Sequence, residues 1–253
     1  MNKTRVIPVL LLHGGGLVKT VRFKRPKYVG DPINAVRIFN EKEVDELIFL
    51  DISATVEGRG PPFDLLADIA GEAFMPMAYG GGITTIDQAR RAFALGFEKI
   101  IINSAAYGDA GLISDAAAIF GSQSIVGCVD VRRTLLGRYE LTSRSGLARE
   151  RVGLREHLAT LERAGVGEVL INAVDRDGTM AGYDLKLVQE ACSAVSVPVI
   201  ACGGAGCIND FVQAVEVGHA TAVAAGSLFV FVGPHRAVLI NYPERDILSQ
   251  KLP

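Results

Sequence analysis

Eight short apolar runs are spaced along this 253-residue chain, and they constrain its fold more than any other feature. Each is followed by Gly or Asp and then by a segment with helical periodicity. Apolar runs without polar alternation are typical of parallel strands that are buried on both faces. The runs cover residues 5–11, 46–51, 76–80, 99–104, 124–130, 168–173, 197–202 and 221–226.

Eight strand–helix units in about 250 residues predict a (β/α)8 TIM barrel, an α/β fold that takes residues 1–253 as a single domain. The alternative is an open doubly wound sheet. However, the stretch HGGGL at 13–17 lacks the G-x-G-x-x-G spacing and the context of a dinucleotide site. With 49% apolar and 21% charged residues, the chain has the composition of a folded protein with a large core.

An internal repeat divides the predicted barrel in two. Strand openings, Gly-rich turns and strand ends recur in one register of 122 residues. The matching pairs are Glu46 with Glu168, Gly81 with Gly203, and Ser104 with Gly226. Three matches in one register predict two (β/α)4 half-barrels.

Composition excludes several classes of function. A net charge of -2 predicts no nucleic-acid or anionic-membrane partner, and no apolar run is long enough for a membrane span. The four cysteines lack the spacing of a zinc site and the density of a disulfide framework, so we expect reduced thiols in a cytoplasmic protein. No metal or other cofactor is predicted.

Two Gly-rich turns follow the third and seventh predicted strands, at the end of the barrel where ligands bind. Glycine lets the backbone approach a phosphate closely, and free N–H groups attract its charge. The repeat therefore predicts two phosphate sites on opposite sides of one mouth; the alternative is a pair of ordinary tight turns. The predicted residues are Gly81, Gly82, Asn103 and Ser104 at one site, and Gly203, Gly204, Gly226 and Ser227 at the other.

Carboxylates at strand ends are candidates for acid–base chemistry. Asp130 closes the fifth strand beside both Gly-rich turns, and we predict a catalytic role; the alternative is a helix cap or a loop salt bridge. Asp51 closes the second strand and either contacts the ligand or orients its loop. The segment Asp177, Gly178 and Thr179 follows the sixth strand and is either a ligand-binding loop or a simple turn.

A series of motifs runs in order over residues 4–230. They read RVIPVLLLHGGGLVKTVRF, GDP, DELIFLDISATVEGRG, YGGGI, EKIIINSAA, FGSQSIVGCVD, DRDGTMAGYD and PVIACGGAG. Together they resemble the cyclase subunit of imidazole glycerol phosphate synthase, the HisF type. The phosphoribosyl isomerase barrel of histidine biosynthesis shares the half-barrel repeat, but INSAA and FGSQ favour the cyclase.

The resemblance implies a barrel that binds a bis-phosphorylated aminoimidazole ribonucleotide. A glutaminase subunit docks on the opposite face as the other half of a heterodimer, and its ammonia passes through the barrel. Two aspartates, at the ends of strands one and five, serve as acid and base. Asp130 matches the second, but Leu11 occupies the first position. Lys19 matches a loop lysine that reaches towards substrate; an ordinary exposed lysine is the alternative.

The departure at position 11 also follows from the repeat, because Leu11 and Asp130 end equivalent strands. Leucine transfers no proton, and the loss of one acid–base group costs about 10²–10⁴-fold in rate. His13, two residues further on, is a possible substitute.

Four charged residues begin strands one, two, four and six: Arg5, Glu46, Lys99 and Glu168. If they point inwards, they form a ring of two cations and two anions, either a purely structural salt-bridge ring or, as the resemblance implies, the gate at the ammonia entrance. Glu98 matches an acidic position at the glutaminase interface.

The retained gate and the lost carboxylate resemble second-copy cyclase subunits found with surface-polysaccharide genes. There, ammonia is thought to reach a sugar amidotransferase that forms an acetamidino group. We therefore expect a diverged, ammonia-conducting subunit. The alternatives are a working cyclase of histidine biosynthesis and another phosphate-binding barrel such as a sugar-phosphate isomerase.

Overall fold

Eight parallel strands close into a barrel in the computed structural model, which describes residues 4–108 and 110–252. Each strand pairs with its sequence neighbours, and the last pairs with the first, so the ladder has no open edge. The barrel strands are β1 (Arg5–His13), β4 (Leu47–Asp51), β5 (Met77–Gly80), β6 (Lys99–Ile102), β7 (Ile125–Arg133), β10 (Glu168–Ala173), β11 (Val199–Cys202) and β12 (Ala222–Ala225). The predicted (β/α)8 barrel is confirmed.

Helices follow the barrel strands along the chain. The longer ones present Ala, Leu, Ile or Phe to the strands, as is typical of amphipathic helices that cover a buried sheet. They are α1 (Pro32–Glu41), α2 (Ala54–Glu57), α3 (Phe63–Glu72), α4 (Ile86–Ala94), α5 (Ser104–Gly108), α6 (Gly111–Phe120), α7 (Leu154–Ala164), α8 (Leu185–Ala194), α9 (Ile208–Glu216), α10 (Ser227–Val230) and α11 (Arg245–Lys251). Among the described residues, no helix is long and apolar enough to cross a membrane.

The first and fifth barrel strands run further than the apolar pattern predicts, because each continues into an antiparallel hairpin. We call them the first hairpin, β2 (Gly16–Val21) with β3 (Lys24–Gly30), and the second hairpin, β8 (Tyr139–Ser143) with β9 (Ala148–Arg149). Both are polar, and neither has an Asn-Gly or Asp-Gly turn that would have predicted it. A third pair, β13 (Phe231–Val232) and β14 (Ala237–Val238), lies near the end of the chain.

Strand pairing confirms the two half-barrels. In the first half Leu11 pairs with Leu50, and in the second Asp130 pairs with Asn172. Leu50 and Asn172 are related by the 122-residue repeat, so Leu11 and Asp130 occupy equivalent positions.

One predicted correspondence is wrong by a residue. The registers of β5 with β6 and of β11 with β12 match Asn103, not Ser104, to Gly226. Ser104 corresponds instead to Ser227. The segment between β11 and β12 is one residue longer than the segment between β5 and β6, so the spacing of 122 residues does not hold beyond these segments.

Inward-facing side chains form three levels along the barrel axis. Charged residues fill the end where the strands begin, and polar residues and glycines line the end where they finish. Between them lies a continuous apolar cluster, against which Leu11 and Leu50 also pack. Its buried members are Ile7, Val9, Ile48, Ala78, Ile101, Val126, Cys128, Leu170, Ile200, Cys202, Ala222 and Ala224.

Candidate functional site

A cavity opens at the end of the barrel where the strands finish. Most of the predicted site residues line it: Lys19, Asp51, Gly81, Gly82, Asn103, Ser104, Asp130, Asp177, Gly178, Gly203, Gly204, Gly226 and Ser227. Thr179 does not. Its hydroxyl donates to the carbonyl oxygen of Arg176 at 2.6 Å, which makes it part of the turn that carries Asp177.

The Gly-rich turns have the same construction in both halves. Gly81 and Gly82 have φ of +121° and +71°, and Gly203 and Gly204 have +86° and +120°. A Cβ on Gly82 would lie 2.7 Å from the carbonyl oxygen of Arg59, and one on Gly203 would lie 2.7 Å from Oδ1 of Asn172. Only glycine satisfies both the backbone and the space at these positions.

Asp130 is buried at the floor of the cavity between two amides. Asn103 Nδ2 donates to one carboxylate oxygen at 2.7 Å, and Asn172 Nδ2 donates to the other at 3.0 Å. Burial raises the pKa of Asp130 to about 7, although both amides favour its ionised form. A carboxyl group with this pKa gives and takes protons readily at neutral pH.

The equivalent place in the other half of the mouth is apolar. Leu11 stands where Asp130 stands, Leu50 where Asn172 stands, and Gly226 where Asn103 stands. This half therefore has no counterpart of the Asp130 carboxyl group or of the two amides that donate to it. The Lys19 amine fills the space beside Gly226 and donates to the carbonyl oxygen of Val9.

Lys19 lies on β2 of the first hairpin and is fully buried, which corrects the reading of it as an exposed lysine. Burial lowers the pKa of Lys19 to about 8, against the attraction of Asp177. Asp177 accepts a hydrogen bond from Thr20 Oγ1 at 3.0 Å, and burial raises its pKa. The first hairpin and the loop after β10 therefore form one side of the cavity together.

The Asp51 carboxylate forms its hydrogen bonds and its salt bridge within the loop that follows β4. It accepts from the backbone N–H and hydroxyl of Ser53, each at 3.0 Å, and from Arg59 at 2.9 and 3.1 Å. Of the two interpretations left open by the sequence, this geometry favours loop orientation. His13 is exposed at the end of β1 and is absent from the cavity lining, so it does not replace the missing carboxylate.

At the opposite end of the barrel, Arg5, Glu46, Lys99 and Glu168 form a closed ring. Arg5 bonds to both glutamates, at 2.5 Å to Glu168, and Lys99 lies 3.1 Å from Glu46 and 3.0 Å from Glu168. Each charge has two partners of opposite sign, which offsets the cost of holding charges in a partly buried place. Glu98 is exposed just before Lys99.

Phe23, Ser145 and Asn172 are among the cavity residues that the sequence analysis missed. Phe23 and Ser145 come from the turns of the first and second hairpins, which were not predicted. Asn172 could have been predicted from the sequence, because it is the one polar side chain inside the apolar run VLINA.

Comparisons with known proteins agree with this geometry. A family model described as histidine biosynthesis protein matches residues 5–233. The chain is 55% identical over 249 residues to "Putative imidazole glycerol phosphate synthase subunit hisF2" of Pseudomonas aeruginosa, covering 98% of this chain and 99% of that protein. This chain belongs to the HisF family.

Two further proteins with HisF names are also similar to this chain. A subunit named hisF3 from Vibrio vulnificus is 47% identical over 96% of this chain and 94% of its own length. "Imidazole glycerol phosphate synthase subunit HisF" of Alkaliphilus metalliredigens is 41% identical over 90% of this chain and 91% of its own. The resemblance to the cyclase is thus confirmed at the level of the family.

The raised pKa of Asp130 predicts a stability cost that depends on pH. The unfolded chain loses this proton near pH 3.8, whereas the folded chain holds it until about pH 7. Folding is therefore penalised increasingly as pH rises between these values, by up to about 1.4 kcal/mol per pH unit. Asp130→Asn removes the ionisation and keeps the shape, so we expect it to be more stable than the wild type at pH 8.

Urea denaturation of both proteins at pH 5, 7 and 8 measures the difference between their free energies of unfolding. This difference should widen from pH 5 to pH 7 and then level off. A difference that stays constant from pH 5 to pH 8, or that grows towards acid, would show that the folded protein does not raise the pKa of Asp130.

Proposed function

We propose that this chain is a HisF-type subunit that receives ammonia from a partner glutaminase and conducts it through the barrel. The ammonia then serves a sugar amidotransferase of surface-polysaccharide synthesis, and imidazole glycerol phosphate is no longer made efficiently. The observation that carries the proposal is the contrast between the two ends of the barrel: the charged ring is complete, and half of the acid–base site is gone.

The ring supports an entrance for ammonia. Its four side chains close the axis of the barrel, and their salt bridges are partly exposed on the face away from the cavity. Exposed Glu98 and Phe74, which is 91% exposed, lie on the same face. A large apolar side chain beside charged groups is typical of a protein interface, here for the glutaminase.

The apolar level between the charged ring and the cavity favours passage of uncharged ammonia over the ammonium ion. Transfer of the ammonium ion into such surroundings is strongly unfavourable, whereas the cost of transferring uncharged ammonia is much smaller. Burial raises the pKa of Cys202 to about 12 and that of Cys128 well above its usual range, so both thiols along this path stay protonated and uncharged.

The mouth supports a ligand that carries phosphate. Both Gly-rich turns are intact, and Ser227 and the half-buried Ser104 place hydroxyls beside them. Lys19 adds a cation on one side. The retained turns explain how a diverged member would still hold a phosphorylated molecule near Asp130.

A working cyclase of histidine biosynthesis is the second candidate. The near-neutral pKa of Asp130 favours it, because one such group can act as acid and then as base. In that case the chain would manage without a carboxylate at position 11.

Leu11→Asp separates the two candidates. With the bis-phosphorylated substrate and saturating ammonium, we expect wild-type cyclase turnover to lie roughly 10²-fold or more below that of an intact HisF enzyme, the usual value of one acid–base group. Leu11→Asp should recover part of this rate, because Asp130 and both turns are in place. Asp130→Asn should abolish it.

Thermal denaturation of each variant must accompany these assays, since a new buried carboxylate can destabilise the barrel. Strong wild-type turnover that Asp130→Asn abolishes would establish the histidine cyclase. No turnover in any of the three variants, all of them folded, would mean that the site has diverged at more than position 11.

Two anions should bind at the mouth, one at each Gly-rich turn. Crystals soaked in phosphate should show density near Gly82 and Ser104, and near Gly204 and Ser227. Gly204→Ala, whose Cβ would collide with the carbonyl of Gly182, should remove the second anion and leave the first. Density at neither turn in the wild type would remove the phosphate-binding part of the proposal.

A further inference from the structure

The two hairpins at the mouth concentrate positive charge. Residues 19–27 contain five Lys or Arg and no acid, and residues 132–151 contain six Arg and two Glu. The whole chain has a net charge of -2, so the rest of it is acidic. The exposed cations are Arg22, Lys24, Arg25, Lys27, Arg133, Arg138, Arg144, Arg149 and Arg151. We call them the basic mouth surface.

Little of this charge is neutralised within the molecule. In the part of the chain that the structure describes, Arg149 with Glu140 at 2.5 Å is the one salt bridge formed by these nine cations. Arg22 donates to the backbone carbonyl of Asp175, and Lys27 lies over the ring of Phe231. The remaining cations produce a positive field on one face of a weakly acidic protein.

Exposed leucines stand among these cations. Leu135 and Leu136 are almost completely exposed, at 107% and 85%, in the turn between β7 and β8, and Leu147 is 74% exposed in the turn between β8 and β9. At about 3.3 Å per residue, Leu135 projects roughly 15 Å beyond Asp130. A small ligand in the cavity does not reach it.

The hairpins meet above the cavity. A Cβ on Gly146, in the turn of the second hairpin, would lie 3.1 Å from the ring of Phe23, in the turn of the first. Ser145 Oγ donates to the carbonyl of Ile52 at 2.6 Å, and the backbone N–H of Arg144 donates to Ser104 Oγ at 3.0 Å. A molecule that binds the hairpins therefore lies directly over the cavity.

We propose that the basic mouth surface and its three leucines dock an acidic face of the enzyme that consumes the ammonia. This inference rests on the proposed function, in which ammonia leaves the barrel at the mouth. Ammonia that reaches water at neutral pH is protonated and is no longer a nucleophile. The consuming enzyme therefore has to seal the mouth, and the leucines provide the water-excluding contact that charge alone does not.

A protein partner fits these observations better than a free phosphorylated ligand or a nucleic acid. Steering of a free phosphorylated ligand needs the cations but not Leu135 and Leu136. Nucleic-acid surfaces pair cations with several stacking aromatics. Among the described residues of the two hairpins Tyr28 is the one exposed aromatic, and the second hairpin pairs its arginines with leucines. Opposite charge on the partner speeds association and selects the correct enzyme.

The test uses two variants of the mouth surface, Leu135→Ser/Leu136→Ser and Arg133→Glu/Arg138→Glu. The control, Arg90→Glu/Arg163→Glu, makes the same charge change at exposed positions on α4 and α7. Each is mixed with its glutaminase and the sugar amidotransferase of the same organism. Transfer to the sugar is measured with glutamine and, separately, with ammonium chloride, and binding of the amidotransferase is measured by calorimetry at 50 and 300 mM salt.

We expect both mouth variants to lose tenfold or more in amidotransferase affinity and in glutamine-driven transfer. Transfer from ammonium chloride and binding of the glutaminase should be unchanged, and the control should behave as the wild type. Wild-type affinity should fall at the higher salt concentration, and less so in the arginine variant.

Failure of the docking surface and failure of the proposed function give different results. Glutamine-driven transfer by the wild type that both mouth variants retain would overturn the docking surface and leave the proposed function intact. No glutamine-driven transfer by any combination, with the amidotransferase active on ammonium chloride, would overturn the proposed function. Absence of calorimetric binding, with retention instead on phosphatidylglycerol vesicles or on single-stranded DNA, would assign the surface to a membrane or to a nucleic acid.

Discussion

The closed hydrogen-bonded ladder of eight parallel strands is the constraint on which the rest of this structure depends. Closure fixes the register of every strand, and the register fixes which residues reach each end of the barrel. Asp130 and Leu11 face the same mouth because the pairs Asp130–Asn172 and Leu11–Leu50 are related by the repeat. The same backbone therefore carries a carboxyl group on one side of the mouth and an apolar side chain on the other.

Charge is distributed along the axis in a way that suits a conduit. The ring of Arg5, Glu46, Lys99 and Glu168 is internally neutral, the middle level is apolar, and the mouth holds Asp130 and Lys19 with pKa values of about 7 and 8. Among the described residues, the level between the ring and the mouth is lined by apolar side chains and holds no unpaired ion. The two groups with pKa values near neutral, Asp130 and Lys19, lie at the mouth.

The sequence predicted the barrel strands and half-barrels because buried parallel strands have a strong apolar signal. It did not predict the two hairpins, whose sequences are polar and whose turns place Arg22, Phe23, Arg144 and Ser145, residues that rarely adopt this conformation, at positive φ. The net charge of -2 likewise hid the basic mouth surface, since an average over the chain has no spatial information. The partners of Asp51 and the burial of Lys19 depend on tertiary contacts that the repeat alone does not give.

Isotope transfer tests the conduit most directly. The complex of this chain, its glutaminase and the amidotransferase would receive glutamine labelled with nitrogen-15 at the amide, in a bath with excess unlabelled ammonium. If ammonia passes from the ring to the mouth inside the barrel, the aminated sugar carries far more label than the ammonium of the bath. Equal labelling of product and bath would contradict conduction through this protein.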